Sequence, residues 1–207
     1  MRAHHHPESH LDRVRDHLRS GDPMALFYAA LEFRYCVEAR LLDYAEHAEK
    51  FAKKKGNPWS ARELSRLVDG VFGHPSNIYQ IEMRSERFPD PVTVEYVPLT
   101  AEVRSTLGRL DNFLHYPGVL QCFNEGKEGI LRSLLEEGVS QMERCLSGGL
   151  QGSLIKDASG HVHIAIDLSK YPELEESFKN GDPLQVRVEI TPFLDNEEAE
   201  QGVTPNA

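Results

Sequence analysis

Apolar residues recur at steps of three and four along most of this chain, and switch to strict alternation in only a few short stretches. Leu11, Val14 and Leu18 share one face of a short first helix predicted over Ser9–Ser20, ended by Gly21. Asp22 can cap the next helix, Pro23 suits its first position, and neither proline nor glycine follows until Gly56. Between these limits Leu26, Ala30, Phe33, Val37, Leu41, Tyr44, Ala48 and Phe51 form one stripe, predicting a rod of roughly 50 Å. Lys53, Lys54 and Lys55 complement the dipole at its end. Such a rod cannot bury its stripe alone, so it requires other helices.

Ser60 and Glu63 have the spacing of a capping box, and Leu64, Leu67, Val68 and Val71 continue a third helix. The period then changes. Tyr79, Ile81 and Met83 alternate with Ile78, Gln80, Glu82 and Arg84, and Val92–Val97 is rich in β-branched residues, which together predict a β-hairpin excursion. Thr100 caps a helix through Val103, Leu107, Leu110 and Leu114 that is expected to stop near Pro117-Gly118. The last long helix is expected over Gly126–Leu146, with Ile130, Leu134, Val139 and Met142 inward. Beyond Gly148-Gly149, the stretches 153–156 and 161–167 flank Asp157-Ala-Ser-Gly160 as a second hairpin. A short helix at Pro172–Lys179 and a strand at Leu184–Thr191 follow.

The organisation expected from this pattern is mainly α. A short N-terminal helix occupies 1–21, a helical bundle 22–148, a small C-terminal α+β unit 149–194, and a disordered acidic tail 195–207. Charge sharpens the division. The formal net charge is -10, and from residue 150 onward 11 acids stand against 4 bases. Repulsion of a phosphate backbone is therefore concentrated at the C-terminal end, which leaves room for a local basic cleft among the helices. Nothing in the sequence is long and apolar enough to span a membrane, and the N-terminus lacks the apolar core of a secretory signal. Cys36, Cys122 and Cys145 are odd in number and far apart, which suits reduced thiols and points to the cytoplasm.

Whole classes of chemistry lack support. The chain contains no G-x-G-x-x-G, Walker A, G-x-S-x-G or H-E-x-x-H motif. His4, His5, His6, His10 and His17 could bind a metal, but a flexible terminus explains them more simply. His161 and His163 share a strand face without an obvious third ligand, and surface histidines account for them. No cofactor or metal is therefore expected. Two arginine–histidine pairs remain, Arg40 with His47 and Arg109 with His115. A histidine can move protons near neutral pH while an arginine stabilises charge on phosphate oxygens, so such a pair suits metal-free phosphodiester cleavage. Chance alone yields about two such spacings in a chain of this composition, so the spacing by itself carries nothing.

The surroundings of the second pair carry more. Ala25-Leu-Phe-Tyr-Ala-Ala-Leu-Glu-Phe-Arg-Tyr-Cys-Val-Glu-Ala-Arg-Leu-Leu42, with Leu107-Gly-Arg-Leu-Asp-Asn-Phe-Leu-His-Tyr-Pro117, resembles bacterial HEPN-domain proteins over roughly residues 20–145. The resemblance implies a HEPN-like helical bundle that forms a homodimer, in which an arginine and a following histidine from each subunit meet at the interface. It implies a metal-independent ribonuclease in toxin–antitoxin or anti-phage defence, with RNA as substrate and an antitoxin or regulatory protein as partner. On this chain Arg109 would stabilise the phosphate, His115 would be the acid/base, and Asp111 or Asn112 would be a polar helper. Leu110 stands where the family often has a polar residue, and Tyr116 follows His115 directly where some relatives carry tyrosine two residues on. The competing expectation is a non-catalytic dimerisation or protein-binding module whose acidic C-terminal part contacts a basic partner. Glu32, Arg34, Glu38 and Arg40 on the long helix would form surface pairs or line the same cleft as His115.

Overall fold

The structure, a computed structural model, describes residues 6–49, 77–152, 155–156 and 161–192. The predicted third helix at Ser60–Val71, the lysine run, the turn at 157–160 and the acidic tail lie outside the described residues. What is described is mainly helical, with a small antiparallel sheet.

Helix α1 spans Pro7–Arg19, with proline in its first turn and Glu8 complementing the N-terminal dipole. Helix α2 is described over Ala25–Glu49. The Asp22 carboxylate accepts from the Met24 backbone N–H at 2.9 Å, so the predicted cap does hold the entrance to α2. Every member of the expected stripe from Leu26 to Tyr44 is buried, but so are Ala29, Cys36 and Arg40. The wider burial has a simple cause: α2 is the central helix, packed by α1 and by two later helices, α3 (Ala101–Leu114) and α5 (Glu128–Leu146). Phe33 shows how closely they approach. A Cβ at Gly138 of α5 would lie 2.8 Å from the Phe33 ring, so only glycine lets the two helices pack here.

His10 and Arg13 bind α1 to α2 through one carboxylate. His10 Nδ1 lies 2.6 Å from Glu32 Oε2, and Arg13 Nε donates to the same oxygen at 2.9 Å. Burial pushes the Glu32 carboxyl up, but the hydrogen bonds from His10 and Arg13 outweigh it and hold it below the usual carboxylate range. A lowered folded-state value stabilises the fold above the unfolded value of about 4.3 and is lost as the pH falls through the folded one. Melts between pH 6 and pH 2.5 should therefore fall less steeply on the acid side for Glu32→Gln than for wild type, from a lower starting point. An unchanged slope would show that Glu32 is not a source of acid sensitivity.

The hairpin strands are β1 (Asn77–Arg84) and β2 (Val92–Tyr96), paired with Ile81 opposite Val94. Alternation puts Tyr79, Ile81, Met83, Val94 and Tyr96 on one face, and all five join the helical core. Tyr44 is the meeting point. Its ring lies 5.5 Å from that of Tyr96, and its hydroxyl donates to the Val97 carbonyl at 2.8 Å.

Two features that the sequence assigned to different units share one sheet. The segment after Gly149 contains β3 (Ile155–Lys156), β4 (Val162–His163), helix α6 (Pro172–Asn180) and β5 (Gln185–Pro192). The expected hairpin forms between β3 and β4, whereas β5 pairs antiparallel with β1, giving the order β2-β1-β5. Leu150 and Leu174 are buried in the same core as the helices. Strand pairing between residues a hundred apart leaves no local signal, so the local pattern shows the hairpin only as an excursion. The row Val186, Val188 and Ile190 faces the same side as Met83, Ile81 and Tyr79 but remains exposed.

Candidate functional site at the α3–α4 elbow

Thr100 caps α3 as expected, its hydroxyl accepting from the Val103 backbone N–H. The predicted stop at Pro117-Gly118 is a restart. α3 ends at Leu114, His115 is extended, and a further helix α4 runs from Tyr116 to Glu125 with Pro117 in its first turn. Proline needs no donor there, so the residue that reads as a terminator serves as an initiator. Gly126, at φ 64°, ends α4 in the left-handed conformation, and α5 begins at Glu128 rather than at Gly126.

Gly118 sets the elbow. A Cβ at this position would stand 1.8 Å from the Asn112 carbonyl oxygen, so the first turn of α4 lies directly on the last turns of α3. Gly118→Ala must push the two helices apart, at a cost of about 1–3 kcal/mol. Gly108→Ala is the control: nothing lies within 4 Å of its Cβ position, so this exposed helical glycine should gain up to about 1 kcal/mol. Thermal melts of the two variants should move in opposite directions, and a neutral Gly118→Ala would mean that the elbow is not tightly packed.

The elbow and the start of α5 enclose a cavity of about 300 Å³. Arg109, Asn112, Gln121 and Lys127 supply its polar lining, over an apolar floor that includes Phe113 and Leu134. No carboxylate lines it, although the chain carries a net charge of -10. Arg109 is exposed, and its side chain has no ion pair or hydrogen bond among the described residues. Lys127 pairs with Glu125. The Asn112 amide donates to the Gly108 carbonyl at 3.4 Å. The Gln121 amide donates to the same Glu125 carboxylate at 2.8 Å, so the group that stands open to an anion is the Arg109 guanidinium.

His115 stands apart from this lining. Its side chain is exposed at the junction of the two helices, so one protomer brings Arg109 and Asn112 into a shared cavity and leaves His115 outside it. Asp111 is directed elsewhere. Its Oδ1 is enclosed, accepts no hydrogen bond, and lies 3.5 Å from Arg34 Nη1 of α2. Arg34 also donates to Glu38 at 3.0 Å, the expected helix-surface pair. Glu32 is held by His10 and Arg13, and Arg40 is buried beside Tyr44, so neither reaches the elbow. The side chain of His47 lies outside the described residues. Lys127 and Gln121 are the residues that sequence reasoning missed. Their only signal is a cation just after a helix-ending glycine, which is too common to single out.

An apolar surface flanks the cavity. Tyr116, Leu120 and Phe123 follow helical steps along α4 and are exposed, as is Ile130 on α5. Phe123 touches the Phe27 ring at 5.3 Å, and Met24 and Tyr28, on either side of Phe27, are also exposed. Contiguous exposed apolar residues rimmed by polar ones mark association surfaces.

The other candidates have structural settings. His10 is buried in its contact with Glu32, and the His17 ring packs 5.8 Å from that of Tyr28. Cys36, Cys122 and Cys145 are buried and free, and burial pushes all three thiols up, away from the reactive thiolate form. Among the described residues no group of three or more His, Cys, Asp and Glu could hold a metal, and no helix is long and apolar enough to cross a membrane. No family model matches the chain, and neither curated proteins nor solved structures give a match.

Proposed function

We propose that this protein is a HEPN-like, metal-independent endoribonuclease that works as a homodimer, with Arg109 binding the scissile phosphate and His115 moving the protons. The observation that carries this reading is the elbow cavity, which no carboxylate lines and where the Arg109 side chain is unpaired among the described residues in a chain of net charge -10; Lys127 also lines it, paired with Glu125. An RNA backbone requires such a place, because the acidic C-terminal part repels it. The exposed stripe of Tyr116, Leu120 and Phe123 supports a two-fold partner at the same elbow, which would bring the His115 of one subunit toward the Arg109 of the other. Asn112, which lines the cavity, is the polar helper in this scheme. Asp111, engaged with Arg34, has a positioning role at most. A toxin or anti-phage effector role, with an antitoxin or regulatory partner in the cytoplasm, follows from the resemblance in sequence.

The deciding experiment is incubation of wild type with a mixed single-stranded RNA in the presence and absence of EDTA, with sedimentation of the same preparation. EDTA-resistant cleavage by a dimer supports the reading. A monomer that cleaves nothing favours the second reading, a protein-binding module, whose supporting observation is the same apolar stripe without any need for the cations.

A further inference from the structure

A second cavity, sharing no residue with the first, lies where α1, α2 and the loop after α5 meet, and its volume is about 450 Å³. Such a volume is within the range of small-molecule clefts, roughly 300–1,000 Å³. Its most informative residue is Arg40, which is only 6% exposed. The Arg40 guanidinium stacks 4.5 Å from the Tyr44 ring centroid, and its Nε donates to the Tyr44 hydroxyl at 3.0 Å. Nη2 reaches the carbonyls of Leu150 at 3.3 Å and Cys145 at 3.5 Å. No carboxylate lies within ion-pair distance among the described residues, and Nη1 has no hydrogen-bond partner there. Asp43 and Glu8 of the same cavity support its charge only from beyond contact distance, so a buried guanidinium is left without a direct anionic partner, which is costly.

Asp43, three residues further on the same helix, lines the same cavity and is likewise without a hydrogen bond or ion pair among the described residues. Burial pushes its carboxyl up to about 6, against the opposing pull of Arg40. His6, Glu8, Asp167 and Lys170 also line the cavity, and Lys170 is its second cation. Lys170 Nζ donates to the carbonyls of Leu146 and Gly148 and lies 3.7 Å from Glu8, while the Asp167 carboxylate accepts from the backbone and hydroxyl of Ser169. The cavity thus presents one guanidinium nitrogen, Arg40 Nη1, and one half-buried carboxylate, Asp43, neither with a hydrogen-bond partner among the described residues, about one helical turn apart.

We infer that this cavity binds a small phosphate-bearing molecule, whose phosphate oxygens meet Arg40 Nη1 and Lys170 and whose P–OH donates to Asp43. The choice of phosphate follows from the donor and acceptor pattern. A carboxylate or sulfate ion offers only acceptors, and Asp43 would repel either one. A monoprotonated phosphate offers both acceptors and a donor.

The test titrates the full-length protein with inorganic phosphate, sulfate and glycerol 3-phosphate at pH 6.5 and constant ionic strength, by calorimetry. Phosphate should bind saturably and at least about tenfold more tightly than sulfate, the size of one charge-assisted hydrogen bond. Asp43→Asn, which can donate to sulfate, should bring that ratio close to about one, and Lys170→Gln should weaken phosphate by about fivefold or more. Arg40 is avoided because its substitution threatens the fold. Tighter binding of glycerol 3-phosphate than of phosphate would identify a phosphate ester as the ligand, and equal binding would identify free phosphate. Absence of saturable binding by both phosphate forms, equal binding of sulfate, or indifference to both substitutions would overturn the inference. Neither substitution touches the elbow, so RNA cleavage by these variants reports separately on the proposed function.

Discussion

Alanine at His115 should reduce EDTA-resistant RNA cleavage by about 10²–10⁴-fold, the usual worth of a positioned acid–base group. His115 is exposed, is the extended residue between two helices, and its side chain makes no hydrogen bond among the described residues, so truncating it should leave thermal stability within about 0.5 kcal/mol. That separation makes the experiment informative. A variant that melts like wild type and no longer cleaves places His115 in the chemistry. Equal cleavage by both proteins would remove it, and with it the proposed Arg109–His115 site. Arg109→Ala provides the second limb, since removing a cation from the carboxylate-free cavity should weaken RNA binding as well as turnover. Mixing the two inactive variants adds a test of geometry. If the site combines Arg109 of one subunit with His115 of the other, heterodimers should recover part of the activity.

The second large effect is on stability. Phe33 is fully buried where α2 meets α5, and its ring occupies the space that a Cβ at Gly138 would need, next to Thr106 of α3. Truncation to alanine removes the contact that joins three helices and leaves a cavity that a packed core cannot close. The expected cost is about 3–5 kcal/mol. For a chain of this length that corresponds to a fall in Tm of roughly 10 °C, and against a total stability of about 5–15 kcal/mol it approaches the limit of folding. A fall of only a few degrees in a calorimetric scan would mean that the three helices can close over the gap. Phe33→Leu, which keeps most of the volume, should recover most of the loss.

Individual elements show how far the local pattern reached. Helix α1, the start of α2, the cap at Thr100, the hairpin of β1 and β2, and the short helix α6 were all legible, because each is set by caps, turn residues and period within a few neighbours. Helix α4 was not, since Pro117 and Gly118 signal an ending and a beginning equally well until the close approach of Gly118 to Asn112 is known. The candidate site was half legible. Arg109, Asn112 and His115 stood out by type and surroundings, whereas Lys127 and Gln121 reach the cavity only because α4 folds back onto the end of α3. Asp111 and Asn112 were interchangeable as helpers in the sequence, and the contact with Arg34 separates them.

The sequence by itself therefore determined the helical class, most element boundaries, the acidic balance and the candidate pair, all of which depend on residues close along the chain. Tertiary structure alone decided that β5 joins β1, that Arg40 is buried with no carboxylate in contact among the described residues, and that no carboxylate lines the elbow cavity. Each of these depends on groups brought together from distant positions. Burial and through-space charge act on distances that the linear order of residues does not contain.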